Sequence, residues 1–153
     1  MKGDELMRTF YVMVGIPGSG KTTEAKKLNA KRVSFDDIRE KLYGDANAKG
    51  DNEEIQAEFR RQIWSLIDNT KDDVVVDFQG LDKKSRKHFL KVYGSHFDKK
   101  VAIYMETNLE TCLTRNSQRD RFVPEFVIIR SHSRLKPPTY EEGFDEIIVH
   151  TTG

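Results

Sequence analysis

The chain has 153 residues, enough for one compact domain that buries roughly 68–70% of its unfolded surface without a disulfide or structural metal. Its 26 basic and 25 acidic side chains leave a formal charge of +1, which excludes a generic nucleic-acid coating protein but not a local basic site. A lone cysteine, Cys112, excludes an internal disulfide, and no apolar run approaches the roughly 18 residues of a membrane span, so a soluble, cytoplasmic protein is expected.

In chain order, Thr9 to Val14 reads as a buried strand bounded by Gly15. The segment Gly15-Ile16-Pro17-Gly18-Ser19-Gly20-Lys21-Thr22 then matches GxxxxGK[ST] in full, with Thr23 just beyond it and a helix expected over Ser19 to Asn29. Each fixed position has a chemical reason. Gly15 and Gly20 let the backbone turn tightly and approach phosphates without a Cβ collision. Successive N–H groups form an anion nest at a helix N-terminus. Lys21 can bridge the β- and γ-phosphates of a nucleotide, and the Thr22 hydroxyl suits a direct bond to Mg²⁺. ATP with Mg²⁺ is therefore the expected donor.

Lys31 to Phe35 reads as a second strand, and Asp36 to Tyr43 as a helix capped by Gly44. In open α/β sheets ligands bind outside the carboxyl ends of the strands. Asp36 there can accept the proton of an attacking hydroxyl, and Arg39, on the same helical face, can clamp an acceptor phosphate. The plain alternative is a helix-capping acid with an exposed arginine on the next turn.

Gly44 to Asp51 is polar and reads as a loop, and Asn52 is placed to cap an amphipathic helix through Asp68, with Ile55, Phe59, Ile63 and Leu66 on one face. Asp73 to Phe78 is nearly continuous apolar sequence, as in a strand covered on both faces. Leu81 to Phe97 reads as a helix whose start, Lys83, Lys84, Arg86 and Lys87, is either a solvated face or a nucleic-acid backbone groove. Val101 to Met105 is a fourth strand, Asn108 caps a helix to about Gln118 that holds Cys112 as a small buried group, and Pro124 enters a helix to about Leu135. Ile147 to Val149 closes as the last strand.

Arg115 and Arg119, four apart, are expected on one helical face directed at the nucleotide, where they would neutralise transition-state charge and exclude water. Trp64 and Tyr43 read as packing residues or base platforms, and His88, His96, His132 and His150 lack metal-ligand spacing. The alternation of strands and helices predicts an α/β fold of the P-loop NTPase type: a three-layer sandwich with a largely parallel central sheet, helices on both faces and a small helical lid at about residues 115–135. No Asn-Lys-x-Asp segment for reading guanine is present, and the chain is short for a large mechanical ATPase.

The motifs GIPGSGKTT, SFDDIR, VVVDF, RNSQRDRFVPE and PPTYEEGFDEI, in this order, resemble the 5′-hydroxyl polynucleotide kinase group of P-loop kinases found in phage and bacterial end-healing enzymes. The resemblance covers essentially the whole chain. It implies that Lys21 and Thr22 hold the phosphates and Mg²⁺, that Asp36 is the general base toward a 5′-hydroxyl, and that Arg39 contacts the adjacent acceptor phosphate. It also implies that Arg119 is a lid arginine on the donor phosphates and that Arg115 and Val123 flank the adenine. Asp77 and Asp36 would meet the metal through water.

Two departures bear on the acceptor side. Asp77 is followed by Phe78-Gln79-Gly80 where the group has Asp-small-Thr-Asn, and the phosphatase or ligase modules often fused in the group are not expected here. The expected activity is transfer of the γ-phosphate to a polynucleotide 5′-hydroxyl, with RNA and DNA both open. The rivals are a kinase of a small metabolite or nucleoside, and a nucleotide-gated binding module without an acceptor.

Overall fold

A computed structural model describes residues 7–120 and 122–152. Five strands, β1 (Thr9–Val14), β2 (Lys31–Ser34), β3 (Val74–Asp77), β4 (Lys99–Thr107) and β5 (Glu146–Thr152), form one sheet in the order β2-β3-β1-β4-β5. Every pairing is parallel. Between them run α1 (Lys21–Lys27), α2 (Phe35–Tyr43), α3 (Asn52–Asn69), α4 (Lys83–Val92), α5 (Leu109–Ser117) and α6 (Glu125–Arg134). The expected α/β architecture is what the chain forms.

The strand pattern follows from burial on two faces. Phe10, Val12, Val74 and Val76 turn toward Ile55, Phe59 and Ile63 of α3 and Phe89 and Leu90 of α4. Met13, Val75 and Ile103, at the alternate positions, turn toward Ala25 of α1. Hence the run of valines in β3 has no polar partner positions: each side of the strand is covered. Burying each such side chain is worth about 1.5–3 kcal/mol.

Several local expectations shift. Asp51, not Asn52, caps α3, its Oδ1 accepting from the N–H groups of Glu53 at 2.8 Å and Glu54 at 3.2 Å. Ile67 rather than Leu66 completes the fully buried stripe. The helix expected over 81–97 stops at Val92, and a separate 3₁₀ turn covers Gly94–His96. Its start is not uniformly solvated, because Arg86 is completely buried.

Arg86 explains how the chain end is fastened. Its guanidinium donates to Glu142 through Nε at 2.6 Å and Nη2 at 2.9 Å, and to the Gly80 carbonyl at 2.6 Å. Burial works to raise the Glu142 carboxyl, but the Arg86 and Thr139 hydrogen bonds outweigh it and hold the acid below its usual range. Removing one partner of such a pair costs about 3–5 kcal/mol, since the other is left buried and charged. Glu142, within the PPTYEEGFDEI motif, thus carries one half of a buried ion pair.

Trp64 meets Tyr93 and His96 edge-on, and the Tyr43 hydroxyl donates to Glu54 at 2.7 Å, so both are packing residues. Cys112 is buried in α5 as expected, with burial pushing its thiol up. Among the described residues no helix is long and apolar enough to cross a membrane.

Candidate active site

The loop of residues 15–20 leaves β1 at the carboxyl edge of the sheet and enters α1. Gly18 and Gly20 hold φ of 86° and 92°, values that residues with a Cβ rarely adopt. A Cβ on Gly18 would lie 2.7 Å from the Cys112 carbonyl oxygen. The loop is pinned from three directions: Gly15 N–H donates to the Gln79 carbonyl at 2.9 Å, the Thr107 hydroxyl to the Ser19 carbonyl at 3.1 Å, and Arg115 Nη1 to the Gly18 carbonyl at 3.2 Å. No side chain caps α1, so its first amides face the concavity without a protein acceptor from a cap. The Ser19 hydroxyl is buried with no hydrogen-bond partner among the described residues. This amide-lined, cation-bearing cradle suits a polyphosphate.

Asp77, at the end of β3, gathers the charged groups. Lys21 Nζ lies 3.2 Å from its Oδ1, the Thr22 hydroxyl donates to its Oδ2 at 3.1 Å, and Arg32 Nε donates to the same oxygen at 2.7 Å. The carboxylate is nearly inaccessible, its side chain 2% exposed. Burial acts to raise its pKa, yet the Lys21 and Arg32 charges prevail and hold it below the ordinary range. Asp77 is therefore an anion that fixes the loop's lysine and hydroxyl. An oxygen set of Thr22 and Asp77 fits Mg²⁺, which prefers hard oxygen ligands and keeps several waters. Among the described residues no cluster of three or more His, Cys, Asp or Glu is placed to hold a metal ion.

Arg32 was not anticipated. It bridges Asp77 and, through Nη1 at 2.5 Å, Asp37, tying β3 to the first turn of α2. Its signal in sequence was faint: an arginine inside a short strand.

At the neighbouring strand end, β2 stops at Ser34, whose hydroxyl accepts from Asp37 N–H at 3.2 Å and so caps α2. Ser34 is in register with Asp77, which brings the start of α2 beside the phosphate cradle. Asp36 and Arg39 share a helix face as expected, and Arg39 Nη1 donates to Asp36 Oδ1 at 3.3 Å. Phe35 anchors this turn, stacking on Phe59 with ring centroids 4.5 Å apart. The unexpected Phe78 belongs to the same aromatic cluster, meeting Phe89 edge-on at 4.7 Å. Gly80 follows because a Cβ there would sit 2.6 Å from the Met13 carbonyl oxygen.

Not every expected site residue converges. Arg115 rests on the Gly18 carbonyl, against the loop. Arg119 does not share its helical face, because α5 ends at Ser117 and Arg119 lies in the following turn, with its N–H bonded to the Asn116 carbonyl at 3.2 Å. Val123 is buried with Ile16, Cys112 and Ile128 in a separate apolar cluster, its backbone clasped on both sides by the Asn116 amide. Thr23 is exposed and Pro17 half-buried. Asn47, in the loop between α2 and α3, donates to the Phe122 carbonyl at 2.7 Å and so joins that loop to the 122–135 segment. A cavity of about 420 Å³ opens beside the loop, lined by Ile16, Met105, Thr107, Asn108, His132 and Leu135.

A parallel sheet in this strand order, with GxxxxGKT between β1 and α1, defines a P-loop kinase fold. A family model described as an AAA domain matches residues 10–138, and the chain belongs to that family. Among solved structures, a chain of the Pnkp1/Rnl/Hen1 RNA repair complex superposes with a TM-score of 0.71 at 22% identity, over 84% of this chain and 44% of that one. A gluconokinase from Sinorhizobium meliloti 1021 gives 0.62 at 17% identity, over 95% of this chain and 83% of that one. A fungal RNA kinase gives 0.62 at 20% identity, over 94% and 73%. The chain spans less than half the length of the RNA repair chain it matches.

Proposed function

We propose that the chain is an ATP-dependent kinase that transfers the γ-phosphate to the 5′-hydroxyl of a polynucleotide, with residues 115–135 serving as the lid of one P-loop kinase unit. The observation that carries this reading is the pairing of two chemistries at neighbouring strand ends. A phosphate cradle follows β1, and the Asp36–Arg39 pair stands on the first turn after β2, whose Ser34 is level with Asp77. The likeness to a chain of an RNA repair complex and to a fungal RNA kinase favours a nucleic-acid acceptor.

The acceptor oxygen attacks the γ-phosphorus in line while the bond to the β–γ bridging oxygen breaks. The hydroxyl proton passes to the Asp36 carboxylate, ADP leaves, and a phosphate ester remains. Loop amides and Lys21 hold the donor, and Lys21 must exchange its Asp77 contact for phosphate oxygens as the nucleotide enters. Arg119 adds charge to the donor phosphates, and Arg39 turns from Asp36 to the acceptor phosphate. Thr22, with Asp77 and Asp36 through water, would hold Mg²⁺, which would neutralise phosphate charge.

The test is incubation with γ-labelled ATP and 5′-hydroxyl RNA and DNA strands, beside a panel of sugars and nucleosides. Label should enter a strand. Label in a small molecule alone, or in free phosphate alone, sinks the polynucleotide reading. The small-molecule kinase is the second reading, favoured by the near-complete mutual coverage with the gluconokinase.

A further inference from the structure

Three lysines of α4 and one of β4 are gathered at a single groove of the fold. Lys21, Lys27, Lys41 and Lys99 each sit beside a carboxylate. Lys84, Lys87, Lys91 and Lys100 have no ion pair among the described residues, yet all four line one open groove of about 560 Å³, with His88 between them. Lys84, Lys87 and Lys91 are exposed and fall on one helical face at spacings of three and four. Their row extends about 10 Å along the helix axis. The one carboxylate in the wall, Glu142, is already neutralised by the buried Arg86. A row of like charges of this kind makes a positive field that attracts an anion from outside.

The groove also has a direction. The bend of residues 78–82 that leads into α4 touches the phosphate loop through Gln79, so the Lys84 end of the helix lies toward the catalytic edge. Lys100 is level with Phe10, near the start of β1, at the opposite edge of the sheet. A chain of phosphates lying here would run away from the catalytic edge along the flank.

We infer that this groove binds the phosphate backbone of a nucleic-acid strand, without reading its bases, downstream of the end being phosphorylated. The occupant rests on the proposed polynucleotide acceptor, whereas the groove's charge does not. A repeated anion matches a row of separated ammonium groups better than a single compact one, and lysine heads serve phosphates as point charges.

The experiment measures binding of a fluorescent single strand of about 20 nucleotides that already carries a 5′-phosphate and so cannot be an acceptor. It compares the wild-type chain with the triple variant Lys84→Glu/Lys87→Glu/Lys91→Glu across a salt series. Three lost phosphate contacts should lower affinity at least tenfold at low salt and shrink the slope of log affinity against log salt by roughly two. Phosphorylation of a dinucleotide, too short to reach the groove, should be unchanged. A triple Lys→Gln variant, gentler on the fold, should move in the same direction by less.

Equal strand binding by wild type and variants overturns the inference, as does a wild type that captures polyglutamate but no strand. Failure of the function reading looks different: the phosphorylated strand binds through these lysines while no 5′-hydroxyl strand takes label.

Discussion

The two halves of the cleft, donor and acceptor in the proposed reaction, are built by different means. The donor half is main chain and buried charge: left-handed glycines, amides at a helix start, and an Asp77 side chain 2% exposed beside a Lys21 side chain 11% exposed. The acceptor half is side chain and surface, with Asp36 45% and Arg39 31% exposed on a single helical turn. A phosphate cradle made of backbone depends on loop conformation more than on which atoms the side chains carry. An acceptor site made of exposed side chains is free to change. Solved structures as different as a fungal RNA kinase and a gluconokinase share this fold at 20% and 17% identity with this chain.

The sharpest way to break that contrast is a pair of substitutions. Asp36→Ala should lower the transfer rate by about 10²–10⁴ while leaving ATP affinity within a few-fold, because the proposed base makes no direct contact with the nucleotide. Lys21→Ala should lower transfer by about 10²–10³ and weaken ATP binding with it. Single-turnover rates and nucleotide titrations read both; if Asp36→Ala lost ATP binding as well, the two halves would not be separate. Arg39→Ala comes next, with a rise of about 10–100-fold in KM for the acceptor, the worth of a charged hydrogen bond. Its KM for ATP should stay put, and a shift there instead would move Arg39 to the donor side.

The smallest expected effect concerns Asp77. Its folded pKa lies below the ordinary carboxylate value, so its stabilising contribution is present above the unfolded pKa of about 3.9 and fades as pH falls through the lower folded value. Asp77→Asn should lose stability at pH 6 and, on acidification from pH 5 to pH 3, lose less further stability than wild type. Urea unfolding at each pH reads this, and identical pH slopes would show that Asp77 carries no such charge. Arg32 shares in this effect because it donates to the same oxygen.

What could be read from residues alone was whatever is coded locally. The phosphate loop is a run of consecutive residues whose backbone needs are met by glycine. The strands announce themselves by apolar runs, and α2 by the acids Asp36 and Asp37, although Ser34 rather than Asp36 proves to be its cap. Even the departure at Phe78-Gln79-Gly80 was visible, though not its sense: Phe78 fills an aromatic cluster assembled from β3, α2, α3 and α4. Arg86 shows the opposite limit. Within a basic stretch it looks like its neighbours, and nothing nearby announces that Glu142 will neutralise it.

Sequence by itself determined the fold class and the donor loop, because short-range periodicity and glycine geometry specify backbone shape without reference to distant residues. Tertiary structure alone decided that Lys21 and Asp77, 56 positions apart, would meet. It likewise joined Arg32 to Asp77 across 45 positions and Arg86 to Glu142 across 56. The reason is the parallel sheet: each crossover returns the chain to the same edge, so charges far apart in sequence become neighbours only after the strands have paired.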